Sequence, residues 1–452
     1  MLLSSVWLLG LPGDWLLDDF SLLEGGLPSL LRPRPLTYLT FWLNYEIAGP
    51  VAWVYRFTNI LLHAVAVQYC YRALRKLVGE ERALLAAAVF ALHPLQADAV
   101  LYVFSRPVVL MGLLLWVALE KWLEGKHWWA VLFYGLALTA KEEAVAFGPF
   151  LILLHLSISK NAKEWRPIGV MLGMAVLAVG GVALAARGIA GSGAGGQAGV
   201  GWLDYLATQP LVLWTYLKLS VWPQFPGMRW DVGLVPKWGL FGWGAMAVVL
   251  FGFRKRFERA GVLLWVLGAL VFLLPTSSVF PLADLAASRR MYMPLALLGA
   301  ALPVNRWLWV IVLLLAAVAG NWSYTLYRDP EALWRVTMAK QPGAVAPLLQ
   351  YTKYVPVEKA LQALQRNPAP GDDGYQTELG RVMLELGRPA EALRAFGKAL
   401  AIEPTKASNV YNRGVALAAL GQREAAVLDF RRALAMDPQH KPAREALAIL
   451  KN

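Results

Sequence analysis

Two adjacent carboxylates, Asp18 and Asp19, follow an apolar amino-terminal run in the stretch GDWLLDDFSLL, with Asp14 four residues earlier. Both cannot be helix caps. One member of such a pair, partly desolvated and facing a like charge at a membrane surface, is suited to act as a general base or a phosphate-metal ligand. Basic side chains recur in short polar breaks between apolar runs: Arg32 and Arg34 in LRPRPLTYLTFWLN, Arg106 in FSRP, Lys141 beside Glu142 in TAKEE, and Arg289 with Arg290 in ASRRMYMP. Guanidinium groups hold phosphate bidentately, and an ionisable residue at or near a span is functional by default. Singly, each could be a side chain reaching out to the interface; jointly they predict a binding site for an anionic lipid carrier around the carboxylate pair. His93-Pro94 closes an apolar run with Asp98 nearby, while His63 and His155 lack carboxylate spacing. His93 therefore reads as a hydrogen-bonded or substrate-positioning residue. No metal ligand set is defined, so a divalent metal stays open as a cofactor. The glycine-rich segment 187–201 has no lysine-serine after it and no strand before it, which excludes a phosphate-binding P-loop and leaves an outer loop able to close over a site.

The elements that must position these residues are membrane helices. Of 452 residues 58% are hydrophobic and 16% charged, with 20 Trp, a balance that excludes a water-soluble protein of this size. Apolar stretches at 51–74, 81–93, 99–120, 127–140, 144–159, 167–186, 239–253, 260–275, 291–304 and 307–327 approach the length needed to cross about 30 Å of hydrocarbon, several only with their neighbours' help. With residues 1–12, too few to span and read as a clipped first crossing, the expectation is about eleven spans. The basic clusters Arg72/Arg75/Lys76/Arg82, Lys121/Lys126, Lys160/Lys163/Arg166, Arg254/Lys255/Arg256/Arg259 and Arg306 follow every second span, the pattern of cytoplasmic loops. They explain the net charge of +13 without nucleic acid. The loops around 13–50, 94–98, 141–143, 187–238 and 276–290 then face outward. This bookkeeping requires 203–222 to be a re-entrant or interfacial helix, interrupted by Pro210, rather than a crossing. The lone cysteine, Cys70, rules out an intrachain disulfide and a thiolate metal cluster.

The tail differs in kind. Residues 1–328 carry 26 basic and 17 acidic residues, residues 329–452 carry 17 and 13, so charge is roughly twice as dense beyond 328. Residues 373–404 and 407–438 align at an offset of 34, with Gly380/Gly414, Gly387/Gly421, Ala392/Ala426, Phe396/Phe430, Ala399/Ala433 and Pro404/Pro438 matching. A 34-residue period with small residues where helices cross is the tetratricopeptide pattern. Two full repeats are few, so the unit should lean on a degenerate second helix at Glu358–Pro370 and a capping helix at Lys441–Asn452. The concave face would present Arg381, Tyr411 and Asn412, beside Thr377, Glu378 and Val415, either to an acceptor molecule or as a plain protein-interaction surface. Because the last span exits outward, the tail is expected outside the cytoplasm.

The order of these motifs resembles the transmembrane and tetratricopeptide-repeat proteins, protein O-mannosyltransferase-like members of the GT-C integral-membrane glycosyltransferases. The likeness rests on Asp18-Asp19, Arg34-Pro35-Leu36-Thr37, Asn59 through His63 (NILLH), Phe90 through Val100 (FALHPLQADAV), Ser105-Arg106, Lys141-Glu142 and Arg289 through Pro294 (RRMYMP), followed by the repeats. It implies an all-α polytopic domain in a bacterial or archaeal cell membrane and an inverting transferase. The donor would be a sugar on a polyprenyl-phosphate carrier, and the acceptor an extracytoplasmic molecule, foremost a protein hydroxyl. By this resemblance Asp18 or Asp19 would deprotonate the acceptor and Arg289 would hold the carrier phosphate. The sequence departs from the family at Ser288, where an acid is frequent, and at Arg290, where an aromatic is usual. Other readings of the same chain are a non-enzymatic membrane-anchored scaffold for envelope or filament assembly, and a lipid-carrier flippase or polysaccharide polymerase.

Overall fold

The computed structural model describes residues 2–22, 33–158, 165–188, 200–228, 230, 232–259, 261–277, 281–282 and 284–451; Arg32, Lys160, Lys163 and most of the glycine-rich segment 187–201 lie outside them. The all-α expectation is met: every extended regular element among the described residues is a helix. The chain forms two compact units, Met1–Asp329 and Pro330–Asn452.

The first unit contains α1 Pro35–Ala48, α2 Ala52–Val78, α3 Glu80–Leu92, α4 Ala97–Leu101, α5 Arg106–Leu123, α6 His127–Ala140, α7 Phe147–Ile158, α8 Trp165–Gly188, α9 Trp202–Val221, α10 Phe241–Arg259, α11 Leu263–Leu273, α12 Tyr292–Ala301 and α13 Arg306–Trp322. Its core is built on close approach. Alanine-rich α3 buries Ala86, Ala87, Ala88 and Ala91, and α12 lies so near that a Cβ on Gly299 would meet the Ala86 Cα at 3.0 Å. Gly112 of α5 admits the Tyr292 ring, which a Cβ there would strike at 2.4 Å. Small residues that let backbones approach are the usual means of joining helices in lipid. Here they fix the start of α12, and with it the loop that carries Arg289.

Helices form on all ten predicted apolar stretches, several of them as short as expected. Among the described residues, two helices are long and apolar enough to cross, Val103–Leu123 and Arg306–Tyr327, and a third crossing is formed if Glu80–Leu92 and Pro94–Leu101, bent by 52°, count as one. The helices found at 127–140, 144–159, 260–275 and 291–304 are only 10–14 residues long. Each is bounded by a turn or polar break: α6 stops at Lys141, α7 begins after the 3-10 turn Glu142–Ala146, α11 gives way to a 3-10 turn at Leu274–Thr276, and α12 begins after the turn Ser288–Met291. The helical length lost is chain used to build charged loops. Residues 202–221 form one continuous helix with Pro210 inside it, so the expected interruption there is absent.

Large apolar side chains nevertheless remain exposed along α8 (Val176, Leu177), α10 (Val248, Phe251) and α13 (Leu313, Leu314). A contiguous greasy surface of this kind belongs against lipid. Most exposed tryptophans mark helix ends, with Trp128, Trp129, Trp165, Trp238 and Trp307 beside basic residues and Trp53 and Trp222 elsewhere. Basic side chains assigned to the cytoplasm gather at the far ends of α2 and α5, where Arg72 pairs with Glu120 at 2.6 Å and Lys76 with Glu124 at 3.3 Å. The near ends of the same two helices carry Arg56 and Arg106 and lead to the charged loops.

In the second unit α14 Pro330–Lys340, α15 Val345–Tyr351 and α16 Val357–Arg366 precede the paired repeat helices α17 Asp373–Glu385 with α18 Pro389–Ile402 and α19 Ala407–Ala419 with α20 Arg423–Met436, and α21 Lys441–Lys451 caps the array. The repeat glycines have a packing reason. A Cβ on Gly380 would meet the Phe396 ring at 2.5 Å, and one on Gly414 would meet Phe430 at 2.7 Å. The repeats also lean on the degenerate flank, since Leu348 of α15, Ala360 and Leu364 of α16 and Tyr375 and Val382 of α17 form one buried cluster.

Candidate active site

One connector, residues 93–106, brings the polar residues together. Pro94 ends α3 and Pro107 sits in the first turn of α5, so the chain between them runs as short turns with buried backbone. Its groups are taken up from both sides. Asp98 Oδ2 accepts the backbone N–H of Arg289 at 3.2 Å and lies 3.6 Å from Arg289 Nη1. The Tyr102 hydroxyl donates to Asp18 Oδ2 at 3.0 Å, and the Phe104 N–H donates to Asp19 Oδ1 at 2.8 Å. The early acids and the late arginine are thus anchored within seven residues of one another on the same segment.

The two aspartates have different surroundings. Asp19 is fully buried, and its second oxygen accepts from the Leu16 N–H at 2.9 Å. Burial, only partly offset by these N–H donors and by the Arg56 charge, pushes its carboxyl from 3.8 up to about 7. With both oxygens held by backbone and no exposure, Asp19 is a clasp between the amino-terminal turn and the connector. Asp18, by contrast, is exposed. Leu17, the residue before it, has φ 47°, and Arg34 has φ 60°; these are the two non-glycine residues with positive φ among the described ones, and both stand in loops of the site. Such conformations persist where packing imposes them, at about 1–3 kcal/mol each.

Arg289 is caged by two acids, since Nη2 reaches Asp284 Oδ2 at 3.0 Å while Asp98 holds the other side, and about a quarter of its side chain stays exposed. Asp284 thereby supplies the acid that the sequence lacks at Ser288. Ser288 instead accepts the Trp230 indole N–H at 3.1 Å. Arg290 turns back on its own loop, donating to the carbonyls of Leu285 at 2.9 Å and Asp284 at 2.6 Å. Arg34 is bound bidentately by Glu142, with Nε 2.8 Å from Oε2, which ties the loop before α1 to the turn after α6. Lys141 is buried and pairs with Glu143 at 3.0 Å; burial lowers its amine from the ordinary value against the pull of that acid.

Two further residues expected to bind substrate are, like Arg290, committed to the protein. Arg106 is fully buried, donating to Asn59 Oδ1 at 2.7 Å, the Thr40 carbonyl at 3.0 Å and the Tyr55 carbonyl at 3.0 Å, with its carbon 4.3 Å from the Phe41 ring centre. His93 accepts the Leu95 N–H on Nδ1 at 3.2 Å, so Nε2 carries the proton and donates to the Ser220 carbonyl at 3.1 Å, clamping the end of α9.

The sequence reading passed over Arg56, although a charge inside an apolar run is a signal. It is fully buried and donates to the carbonyls of Gly10 and Tyr327, both at 2.8 Å, and of Asp14. Gly13 leaves room for it, because a Cβ there would meet Arg56 Nη1 at 1.7 Å. Tyr102 and Asp284 were also missed, and no local pattern marks either. Among the described residues no group of three His, Cys, Asp or Glu side chains is placed to hold a metal ion.

In the repeat unit Arg381 is ion-paired with Glu378 at 2.5 Å and with Glu385. Tyr411 packs between Phe430 and His440, with ring centres 5.5 and 5.1 Å away, and Asn412 is half-buried on the same helix. Arg413, not anticipated, forms a bidentate pair with Asp429, both contacts at 2.7 Å.

An all-helical membrane unit that gathers an exposed acid and a caged arginine, joined to tetratricopeptide helices, defines the class. Residues 32–183 match the dolichyl-phosphate-mannose-protein mannosyltransferase family, and residues 407–440 match the tetratricopeptide repeat. The first match covers Arg34, His93, Arg106, Lys141 and Glu142, while Asp18, Asp19 and Arg289 lie outside it. The chain is similar to the FK506-binding protein-like protein of Mus musculus, 39% identical over 92 residues, 20% of this chain and 26% of that protein. It is also similar to the protein O-mannosyl-transferase Tmtc2 of Drosophila melanogaster, 45% identical over 75 residues (16% and 8%), and to TMTC3 of Mus musculus, 31% identical over 93 residues (21% and 10%). The chain spans about a quarter or less of the length of these relatives. The expected likeness to membrane glycosyltransferases carrying tetratricopeptide repeats is thereby borne out.

Proposed function

We propose that the chain is a membrane glycosyltransferase that moves a sugar, with inversion, from a polyprenyl-phosphate carrier to a hydroxyl group of an extracytoplasmic protein. The observation that carries this is the shared anchoring of Asp18 and Arg289 on residues 98–102. In this reading the exposed Asp18 carboxylate takes the proton of the acceptor hydroxyl as its oxygen attacks the anomeric carbon. The bond from that carbon to the carrier phosphate breaks on the opposite face, and the departing phosphate develops charge that fixed Arg289 stabilises. A lipid-linked sugar cannot leave the bilayer, so its phosphate must be met at headgroup depth, where loops cut out of short helices can meet it. The relatives named protein O-mannosyl-transferase support mannose as the sugar and protein as the acceptor. The repeats would bind the acceptor and raise its effective concentration.

The test is Asp18→Asn, assayed with radiolabelled polyprenyl-phosphate-mannose and a serine/threonine-rich peptide in nanodiscs. Turnover is expected to fall by at least ~100-fold, with insertion and unfolding temperature unchanged. Full activity in this variant would remove the proposed chemistry.

A further inference from the structure

We infer that Tyr102 is the positioning residue of this site, holding the Asp18 carboxylate in its working orientation. The inference rests on Asp18 being the base. Tyr102 is the residue between α4 and the turn Val103–Ser105, and it is 3% exposed, so its ring is fixed by packing. Its hydroxyl makes two contacts with one residue: it donates to Asp18 Oδ2 at 3.0 Å and accepts the Asp18 backbone N–H at 3.3 Å. A side chain gripped at both its backbone and its carboxylate cannot swing freely between rotamers. Burial, with the charges of Asp19 and Asp18 beside it, pushes the phenol well above its ordinary value, so the hydroxyl keeps its proton and remains the donor.

The placement of Tyr102 gives this grip a catalytic meaning. Four residues earlier on the same segment Asp98 holds Arg289, and Arg289 lies within electrostatic reach of the Tyr102 hydroxyl. The distance between the proton acceptor and the cation for the leaving phosphate is therefore set by a rigid stretch of five residues. In-line displacement depends on that distance, because base and leaving group must address opposite faces of one carbon.

Tyr102→Phe keeps the buried ring and removes only the hydroxyl. In nanodiscs with polyprenyl-phosphate-mannose and the serine/threonine-rich peptide, kcat is expected to fall ~10–100-fold while KM for the donor stays within about twofold. Asp98→Asn, which loosens Arg289, is expected to raise the donor KM instead. Wild-type kcat in Tyr102→Phe, with Asp18→Asn inactive, would overturn the positioning role and leave the base assignment standing. Turnover in Asp18→Asn would overturn both. A kcat loss matched by a lowered unfolding temperature, or by an equal rise in donor KM, would reduce Tyr102 to a structural residue, again overturning the inference.

Discussion

Replacing Asp19 by asparagine should change how stability depends on pH, and the structure says in which direction. Asp19 is fully buried, and burial raises its carboxyl to about 7 from an ordinary value of 3.8. The folded chain therefore holds the proton more tightly than the unfolded chain. The stabilisation is fully present below pH 4 and is lost as pH rises through about 7. At 1.36 kcal/mol per unit, a shift of this size corresponds to about 4 kcal/mol across that window. Asparagine removes the titration. It also keeps only one oxygen for the two N–H groups of Leu16 and Phe104, orphaning one of them at about 1–3 kcal/mol independent of pH. Unfolding of the detergent-solubilised protein, followed by tryptophan fluorescence between pH 4 and 8, separates the two effects. The wild type should be the more stable at pH 4, and its advantage should shrink or reverse by pH 8. Parallel curves offset by a constant would show that Asp19 does not titrate in the folded state and would refute the reasoning.

Two further outcomes test the assignments. Arg106→Met should destabilise the membrane unit by at least ~3 kcal/mol, read as a fall in unfolding temperature, because it leaves the carbonyls of Thr40 and Tyr55 and the Asn59 amide oxygen without their donor; its donor KM should stay near wild type in whatever fraction folds. Gly414→Ala should cost the repeat unit about 1–3 kcal/mol by forcing a Cβ to within 2.7 Å of the Phe430 ring, measured by circular-dichroism melting.

Much was decided by the sequence alone, and the reason is that some signals are local or periodic. Apolar runs determine that this is a helical membrane protein, because a backbone in hydrocarbon must satisfy its own hydrogen bonds. The 34-residue period determines the repeat helices, down to the glycines that sit under Phe396 and Phe430. The order of acids, arginines and prolines between the runs also pointed to the loops that the structure brings together. The breaks at Lys141 and Ser288 were legible as polar interruptions between apolar runs; the number of full-length crossings was not, since hydropathy counts apolar residues and does not see how far each helix continues beyond its run.

What each polar side chain does was left to tertiary structure. Asp18 and Asp19 are identical in type and adjacent in sequence, yet one is exposed and the other is clasped by the Phe104 N–H, 85 residues away. Arg106, Arg289 and Arg56 are all arginines beside apolar runs; the first donates to carbonyls of α1 and α2, the second is caged by Asp98 and Asp284, and the third reaches the carbonyl of Tyr327, 271 residues distant. Spacing along the chain carries no information about such partners. A buried charge is satisfied by whichever backbone or acid the packing brings to it, and that depends on close contacts such as Gly299 against Ala86, which couple helices far apart in sequence.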